Sequence, residues 1–395
     1  MTEKRPLFSI VMPTRNRGHL LRHSLRSALN QTFDDYEVVV SNNDSQDGTA
    51  EVIKGLAHPK LRSVRTETGL PMPDHWEFAA DHAEGEYLMY LCDDDALAPH
   101  ALAETASALQ KNPLPLVVLG SAMYDGKNSV NVACRNCLQV PIYDGSTKVV
   151  DSKETLDCMA RFEQDGHRMP RMLNSFCHRD LFFEIRRKMG CVFLLAPDYS
   201  FAIASLASTP QWLYLRQPLW VCGCFQESIG LNYIQSRGEA TQTFAKEMKE
   251  KNFFQNTPLA LPLVNNVLAA TYLGCQDLCP ELLDEFEIDW GRYFCVCWRD
   301  ILVLESYGTD MQADISQFSD ALEKQPIEVQ KRVKRYINSW TMKLRRLFGF
   351  KIPRSRLLVR IGARLFFNER CFWGHQHGFD NNCDAAQLLP EFGPP

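Results

Sequence analysis

Residues 7–41, LFSIVMPTRNRGHLLRHSLRSALNQTFDDYEVVVS, decide the fold of this chain. A short run rich in β-branched residues ends at Pro13, and a second apolar run covers residues 36–41. Between the two runs, leucines recur at helical spacing at positions 20, 21, 25 and 29. Short β-branched runs are typical of buried strands, and this leucine spacing is typical of an amphipathic helix. The stretch therefore predicts a strand, a helix and a second strand.

The same alternation continues to residue 91. The pattern predicts a helix at 47–56, a strand at 60–66, a helix at 74–83 and a strand at 86–91. Alternating strands and helices favour an α/β fold with a doubly wound, mostly parallel sheet. Ligands of such sheets bind beyond the carboxyl ends of the strands. Polar clusters follow three of the predicted strands, at residues 13–17, 41–45 and 93–95. We expect these clusters to meet in one site.

Beyond residue 110 the pattern divides the chain further. Mixed strands and helices are predicted to about residue 235, which gives an α/β domain at 1–235. A mainly helical extension is predicted at 236–330, followed by a basic amphipathic segment at 331–395.

The charge is unevenly distributed. Residues 331–395 hold 13 Lys and Arg against 4 Asp and Glu, whereas the rest of the chain holds 30 against 44. Residues 331–368 contain 12 basic and no acidic residues, interleaved with aromatic and aliphatic ones. This composition is typical of a helix in an anionic membrane interface. The alternative is a solvated pair of basic helices packed on the acidic body. Nucleic acid is not an expected partner, since the body is acidic and no reader module is visible.

The chain shows no export signal and no apolar stretch of the length of a membrane span. We therefore expect a cytoplasmic protein, which the basic segment would attach peripherally to the cytoplasmic face of a membrane. In that compartment the 14 cysteines are expected to be reduced, buried thiols. Their spacings do not form the four-ligand pattern of a structural zinc site.

Asp93, Asp94 and Asp95 follow directly after the apolar run at 87–91. Adjacent carboxylates repel one another, and the repulsion has to be compensated. A hard divalent cation such as Mg²⁺ or Mn²⁺ would compensate it, because these ions prefer carboxylate ligands. The alternative is a solvated, aspartate-rich turn, and the three residues alone leave both interpretations open.

Two longer stretches carry a family resemblance: FSIVMPTRNRGHLLRHSLRSALNQTFDDYEVVVSNNDSQDGT at 8–49 and AEGEYLMYLCDDDALAP at 83–99. Together they resemble the family-two glycosyltransferases with the GT-A fold, strongly over residues 7–110 and more faintly to about 235. The resemblance implies a GT-A fold for residues 1–235, a nucleotide-diphosphate sugar donor and a divalent metal, Mg²⁺ or Mn²⁺. It also implies inversion at the anomeric carbon, a glycan or lipid-linked acceptor, and a setting in polysaccharide biosynthesis.

The resemblance assigns nucleotide contacts to the first two strand ends. Pro13, Thr14 and Arg15 correspond to the loop along the nucleotide. Asn42 and Asn43 stand where the family commonly has an acidic pair that reads the base. An asparagine amide can still hydrogen-bond a base edge, but the substitution leaves the identity of the base open.

In the aspartate cluster, the first acidic position of the family pattern is occupied by Cys92. Asp93 then corresponds to a ribose contact and Asp94 to the main metal ligand. Asp95 either assists the metal through a water molecule or caps a helix that begins near Pro99.

Asp198, in the segment APDYSF, corresponds to the family's general base at the start of a helix beneath the acceptor. An inverting transfer needs a carboxylate that takes the proton of the attacking hydroxyl. The alternative is a helix N-cap, which is compatible with a catalytic role.

Four further residues are weaker candidates for the acceptor or donor loops. Trp76 is more typical of core packing than of a sugar platform, and His178 is a candidate for the acceptor pocket. Glu227 and Ser228 belong to CFQESIGLNY at 224–233, where relatives often place a metal-binding histidine that this chain lacks.

Two other functions fit the sequence less well. A sugar nucleotidyltransferase needs a glycine-rich loop after the first strand, and MPTRNRGHL lacks it. A non-catalytic module that binds nucleotide sugars does not need the combination of an intact aspartate cluster and Asp198.

Overall fold

The computed structural model describes residues 4–129, 132–163, 169–228, 250–340 and 369–392, together with residues 246, 248 and 342. The chain divides into two compact units. The first comprises Met1–Lys153, Asp165–Gln226 and Pro353–Pro395, and the second comprises Glu154–Gln164 and Glu227–Ile352.

One mixed sheet organises the first unit. Among the described residues its strands are Phe8–Thr14 (β1), Tyr36–Asn42 (β2), Leu61–Arg65 (β3), Tyr87–Tyr90 (β4), Ala96–Leu97 (β5), Leu116–Asp125 (β6), Cys137–Pro141 (β7), Thr147–Asp151 (β8), Ser175–His178 (β9), Gln211–Cys224 (β10) and Glu369–Trp373 (β11). The main order is β11-β7-β6-β9-β4-β1-β2-β3, and β10 pairs with β5, β6 and β8.

Strand direction confirms the predicted mixed, mostly parallel sheet. β1 is parallel to β2 and β4, and β2 is parallel to β3. β9 is antiparallel to both of its neighbours, β4 and β6, and β10 is parallel to β6. Strands β1–β4, β6 and β10 therefore run in one direction.

Helices cover both faces of the sheet. The helices between Gly18 and Ser208 are Gly18–Leu29 (α1), Thr49–Gly55 (α2), Met72–Asp81 (α3), Ala101–Lys111 (α4), Ser152–Ala160 (α5), Arg179–Met189 (α6) and Pro197–Ser208 (α7). Of these, α5 belongs to the second unit from Glu154 onward. Met89 of β4 belongs to the apolar cluster that contains Leu21 and Leu25 of α1. The next residue, Tyr90, stacks on Trp76 of α3 with ring centroids 4.9 Å apart. Because successive strand residues point to opposite faces, α1 and α3 lie on opposite sides, and the doubly wound prediction is confirmed.

The second unit is helical in its described part. Its helices beyond residue 263 are Val264–Leu278 (α8), Pro280–Leu283 (α9), Trp290–Ser306 (α10), Gln312–Glu323 (α11) and Ile327–Ile337 (α12). α10 packs against α8 and α12, and the Tyr293 hydroxyl donates a buried hydrogen bond of 2.7 Å to Oδ1 of Asn266. The predicted mainly helical region that follows the α/β domain is confirmed, while its boundaries at 235 and 330 stay predictions.

The described C-terminal residues belong to the first unit. They form β11 and the helices Gly374–His377 (α13) and Asn382–Gln387 (α14). β11 extends the sheet beside β7, and α14 contacts α1, β5 and β10. Residues 341 and 343–368, which include most basic residues of the predicted membrane segment, lie outside the described residues. Among the helices that are described, none has the length and apolar composition required to cross a membrane.

All 14 cysteines are free thiols, and most of them are buried. The expectation of buried cysteines is confirmed for most of them, while their reduced state stays a prediction.

Candidate active site

The carboxyl ends of β1, β2 and β4 bring the predicted polar residues together. Thr14 lies opposite Asn42 in the β1–β2 register, and its Oγ1 donates a hydrogen bond of 2.8 Å to Oδ2 of Asp93. The backbone N–H of Asn43 donates to the carbonyl of Thr14 at 2.9 Å. Residues that are up to 79 positions apart thus form one cluster, as expected for parallel strand ends.

The three aspartates after β4 are buried. Their exposed fractions are 4% for Asp93, 8% for Asp94 and 3% for Asp95, so the interpretation as a solvated turn is wrong. Buried carboxylates need partners, and Arg17 supplies the first. Its Nη1 lies 3.0 Å from Oδ1 of Asp93 and 3.7 Å from Oδ2 of Asp94. A cation therefore does lie at the triplet, and it belongs to the loop after β1.

Arg17 does not balance the triplet completely. Burial raises the pKa of Asp93 to about 6 against the opposing charge of Arg17. Burial also raises the pKa of Asp95 well above its ordinary value, and the neighbouring Asp94 adds to this. The pKa values of Asp93 and Asp95 stay raised in spite of Arg17, so a second positive charge beside Arg17 would favour their ionised forms.

Cys92, Asp94 and Asp95 have suitable atoms for that second charge. One potential ligand atom from each of the three lies within 4.8 Å of the other two. Carboxylate oxygens suit Mg²⁺ and Mn²⁺, whereas a thiolate favours a softer ion than Mg²⁺. Burial and the three aspartates raise the pKa of the Cys92 thiol, so the sulfur stays protonated unless a cation compensates. The donor set fits a divalent ion.

Gly223 of β10 brings its backbone against the triplet. Its N–H donates a hydrogen bond of 3.0 Å to Oδ1 of Asp95. The helix α4 begins at Ala101 with His100 as its N-cap, so the alternative in which Asp95 caps this helix is wrong. A Cβ atom at Gly223 would lie 1.8 Å from the carbonyl oxygen of Asp94. Any residue other than glycine at this position would therefore displace either β10 or the aspartate triplet.

Replacing Gly223 by alanine should lower the free energy of unfolding by about 1–3 kcal/mol, the usual cost of overpacking. It should also weaken Mn²⁺ binding, because the atom in the way is the backbone oxygen of Asp94. Chemical denaturation and calorimetry measure the two effects. Gly55→Ala is the matched control, since a Cβ there meets nothing within 4 Å. Wild-type Mn²⁺ affinity in Gly223→Ala would contradict this account.

Asp198 lies in the first turn of α7. The N-cap of this helix is Ala196, so the capping alternative for Asp198 is wrong. Among the described residues, Oδ1 of Asp198 is one of few buried side-chain polar atoms without a hydrogen-bond partner. Burial raises the pKa of Asp198, while the charge of Arg171 opposes the rise. A buried carboxylate oxygen with an open lone pair and a raised pKa suits a general base.

Arg171 is a functional candidate that the sequence did not single out. Its guanidinium lies 5.4 Å from the centre of the Trp220 ring. Its charge lowers the pKa values of both Asp95 and Asp198, so it lies within electrostatic range of the triplet and of the candidate base. Nothing in its local sequence signals this position, because Trp220 and Asp95 are both distant from Arg171 along the chain.

The amides predicted to read the base are engaged within the chain. Oδ1 of Asn42 accepts from the N–H of Ser45 at 2.9 Å. The Asn43 amide donates to the carbonyl of Leu70 at 2.9 Å and accepts from its N–H at 2.8 Å. The two side chains thus hold the loops around the cluster, and the predicted contact with a base stays a prediction.

Of the other two residues predicted to contact the nucleotide, one is buried and one is exposed. Pro13 is buried in β1 opposite Ser41. Arg15 is exposed, so its guanidinium is accessible at the same edge of the sheet. Their nucleotide contacts also stay predictions.

Of two weaker candidates, one packs in the core and the other lies at the opposite end of β4. Trp76 is 6% exposed and packs on Tyr90 and Phe193, which is the core packing that the sequence favoured. His178 pairs with Tyr87 at the amino end of β4, because β9 runs against its neighbours. It lies at the opposite end of β4 from Asp93, and the prediction that it lines the acceptor pocket is wrong.

Glu227 and Ser228 lie in a turn after the end of β10 at Cys224. The remainder of the predicted loop, residues 229–233, lies outside the described residues. The role of these two residues in a donor loop stays a prediction.

Comparisons with known proteins find similarity to glycosyltransferases. Residues 9–162 match the family model described as Glycosyl transferase family 2. The GalNAc(5)-diNAcBac-PP-undecaprenol beta-1,3-glucosyltransferase of Campylobacter jejuni is 33% identical over 101 residues, which are 25% of this chain and 33% of that protein. The UDP-Glc:alpha-D-GlcNAc-diphosphoundecaprenol beta-1,3-glucosyltransferase WfgD of Escherichia coli is 24% identical over 142 residues, 33% of this chain and 56% of that protein.

Among solved structures, S. aureus TarS 1-349 in complex with UDP-GlcNAc aligns with a TM-score of 0.49 and 15% identity, over 90% of this chain and 91% of that chain. The similarity in sequence is confined to part of each protein, since the chain covers 33% of the first relative's length and 56% of the second's.

Proposed function

Because residues 9–162 form a glycosyltransferase family 2 domain, we propose that the chain transfers a sugar from a nucleotide-diphosphate donor to a glycan or lipid-linked acceptor, with inversion. One observation carries the proposal. A buried aspartate triplet, with the donor set for a divalent ion, lies within electrostatic range of a fourth aspartate, Asp198. The Oδ1 atom of Asp198 is buried and has no hydrogen-bond partner among the described residues. One group suits the departing diphosphate and the other suits the attacking hydroxyl.

The donor end of the reaction uses the triplet. Asp94 and Asp95, with Cys92 beside them, would hold Mg²⁺ or Mn²⁺, and such an ion acts as a Lewis acid that offsets charge on a departing diphosphate. Asp93 is held by Thr14 and Arg17, and this contact fixes the loop on which the ligands lie. Arg171 supplies a further positive charge near the same carboxylates.

The acceptor end uses Asp198. Its carboxylate takes the proton of the acceptor hydroxyl while the oxygen attacks the anomeric carbon from the side opposite the diphosphate. The new carbon–oxygen bond forms as the bond to the phosphate oxygen breaks, and the nucleoside diphosphate leaves with the electron pair. A single displacement of this kind inverts the anomeric centre. The raised pKa of Asp198 makes its carboxylate a stronger base than an exposed aspartate.

The names of the relatives support a lipid-linked acceptor. Both glucosyltransferases compared above are named for undecaprenol-diphosphate-linked glycans. We therefore propose the same acceptor class, a glycan on a polyprenyl diphosphate, for this chain.

A thermal-shift screen of nucleotide sugars tests the proposal. With Mn²⁺ present, the correct donor should raise Tm by about 2–5 °C, because a ligand that binds only the folded state stabilises it by mass action. EDTA should abolish the shift. The donor found in this way is then incubated with a short lipid-linked glycan, and product is measured by mass spectrometry. A shift that survives EDTA, without transfer to any acceptor, would instead indicate a binding module.

We further propose that residues 331–368 bind an anionic membrane surface. Each basic residue there contributes about 1 kcal/mol near such a surface. Neutralising four of them to glutamine should reduce co-sedimentation with anionic liposomes at least tenfold; the four are Lys343, Arg345, Arg346 and Lys351. A matched control neutralises four exposed lysines of the first unit, namely Lys4, Lys54, Lys111 and Lys127. Equal loss in both variants would refute a specific role for the segment. Truncation at residue 330 is unsuitable, because it also removes β11 and α14.

A further inference from the structure

Side chains from two distant parts of the first unit hold the backbone of the aspartate triplet. The Ser24 hydroxyl, on α1, donates to the carbonyl of Asp93 at 2.7 Å. The Nδ2 atom of Asn382, on α14, donates to the carbonyls of Asp94 and Asp95, each at 2.8 Å. Three successive carbonyls are therefore held by buried side chains.

Asn382 is itself fixed in place. It is the first residue of α14 and is 1% exposed. Its Oδ1 accepts a hydrogen bond of 3.0 Å from the N–H of Cys383, which directs the NH₂ group towards the two carbonyls. The helix behind it is anchored by Ala385 and Ala386, which are fully buried in the apolar cluster shared with α1. The contact between Asn382 and the triplet is thus built into the fold.

The chemistry of the contact admits few other side chains. A primary amide carries two N–H donors and no charge, so one atom can satisfy two carbonyls. Aspartate would place a carboxylate against two carbonyl oxygens, and serine offers only one donor. The backbone of the triplet also determines where the carboxylates lie, and groups that orient metal ligands affect metal affinity strongly.

From this geometry we infer that Asn382 is a positioning residue for the cation-binding loop, so that the C-terminal return, residues 369–392, completes the active site. The catalytic consequence rests on the proposed function. The structural consequence is that the conformation of the loop at residues 91–98 depends on residue 382. This consequence is independent of the proposed function.

The neighbouring residue offers a matched control. Asn381 is the N-cap of α14, and its side chain accepts from the N–H of Asp384 and donates to the carboxylate of Asp384. Loss of either asparagine side chain is expected to weaken the same short helix, but only Asn382 donates to the triplet.

The experiment compares full-length Asn382→Ala and Asn381→Ala. Calorimetry measures Mn²⁺ affinity, hydrogen–deuterium exchange follows a peptide covering residues 91–98, and a thermal scan gives Tm. We expect Asn382→Ala to bind Mn²⁺ about 10–100-fold more weakly and to exchange faster at 91–98. Both variants should lower Tm by similar amounts. Asn381→Ala, however, should keep Mn²⁺ affinity and exchange at 91–98 near the wild-type values.

Equal Mn²⁺ affinity and equal exchange at 91–98 in the two variants would overturn the inference. If Asn382→Ala does not fold, Asn382→Ser replaces it and should give an intermediate effect, since it retains one donor; wild-type behaviour there also overturns the inference. If the wild type transfers no sugar, the proposed function fails, and the exchange comparison still decides the role of Asn382.

Discussion

Replacing Asp198 by asparagine lowers the rate of sugar transfer by about 10²–10⁴-fold, the usual contribution of a general base. The amide has nearly the same shape as the carboxylate but cannot take the proton of the acceptor hydroxyl. Donor and Mn²⁺ affinities should change little, because no hydrogen bond joins Asp198 to the triplet among the contacts of the described residues. Steady-state kinetics with the donor identified by the thermal-shift screen measures the rate, and calorimetry measures both affinities.

The pH dependence provides a second readout of the same prediction. Burial raises the pKa of Asp198, so the folded enzyme holds this proton at acidic pH and loses it as pH increases. Since only the ionised carboxylate is a base, kcat/KM should increase with pH through the raised pKa. This limb of the profile should be absent from the asparagine variant.

Asp180→Asn is the matched control for Asp198→Asn. Asp180 also lies in the first turn of a helix, α6, but at the end of the sheet where His178 lies. The control should retain wild-type rates, which separates catalysis from any effect of a charge at a helix N-terminus. A loss smaller than about tenfold in Asp198→Asn, well under that expected for a general base, would remove Asp198 from the mechanism.

The features predictable from the sequence are those with a local signal. The strands β1, β2 and β4 are short apolar runs, and α1 shows its leucines at helical spacing. The meeting of Thr14, Asn42 and Asp93 was also predictable, because parallel strands bring their carboxyl ends to one edge. Periodicity and topology therefore gave both the sheet and the position of the cluster.

The features that escaped prediction depend on contacts between distant residues. Gly223 lies 128 positions after Asp95, and Asn382 lies 288 positions after Asp94. Nothing in the sequence around Asn382 indicates what its amide holds. Arg17 stood among the polar residues after β1, yet only the structure shows that it, and not Arg15, forms the ion pair with Asp93.

The error at His178 has a topological cause. In a parallel sheet the carboxyl end of each strand lies at the ligand edge, and a parallel β9 would place His178 there. The strand is instead inserted antiparallel between β4 and β6, which carries its carboxyl end to the other edge. Single-strand patterns contain no information on this reversal, because strand direction is set by pairing.

Replacing Asp94 by asparagine should reduce sugar transfer by about 10³-fold, because loss of the metal removes several kcal/mol of transition-state stabilisation and each 1.4 kcal/mol is a tenfold change in rate. An amide oxygen is a weaker ligand than a carboxylate, so Mn²⁺ affinity should fall together with the rate. Calorimetry and steady-state kinetics measure the two losses. Asp34→Asn is the control for the removal of one negative charge, since Asp34 is fully exposed in a turn before β2.

The same substitution should not destabilise the metal-free protein, and this separates a metal ligand from a residue that merely supports the fold. The charge of Asp94 raises the pKa of Asp93, so its removal should shift that pKa down towards its ordinary range and leave Arg17 paired with Asp93 at 3.0 Å. In EDTA, the Tm of Asp94→Asn should therefore equal or exceed that of the wild type, whereas in Mn²⁺ it should fall below it. A variant that is less stable in EDTA, or that keeps Mn²⁺-dependent stabilisation, would show that Asp94 is not the ligand that makes the buried triplet tolerable.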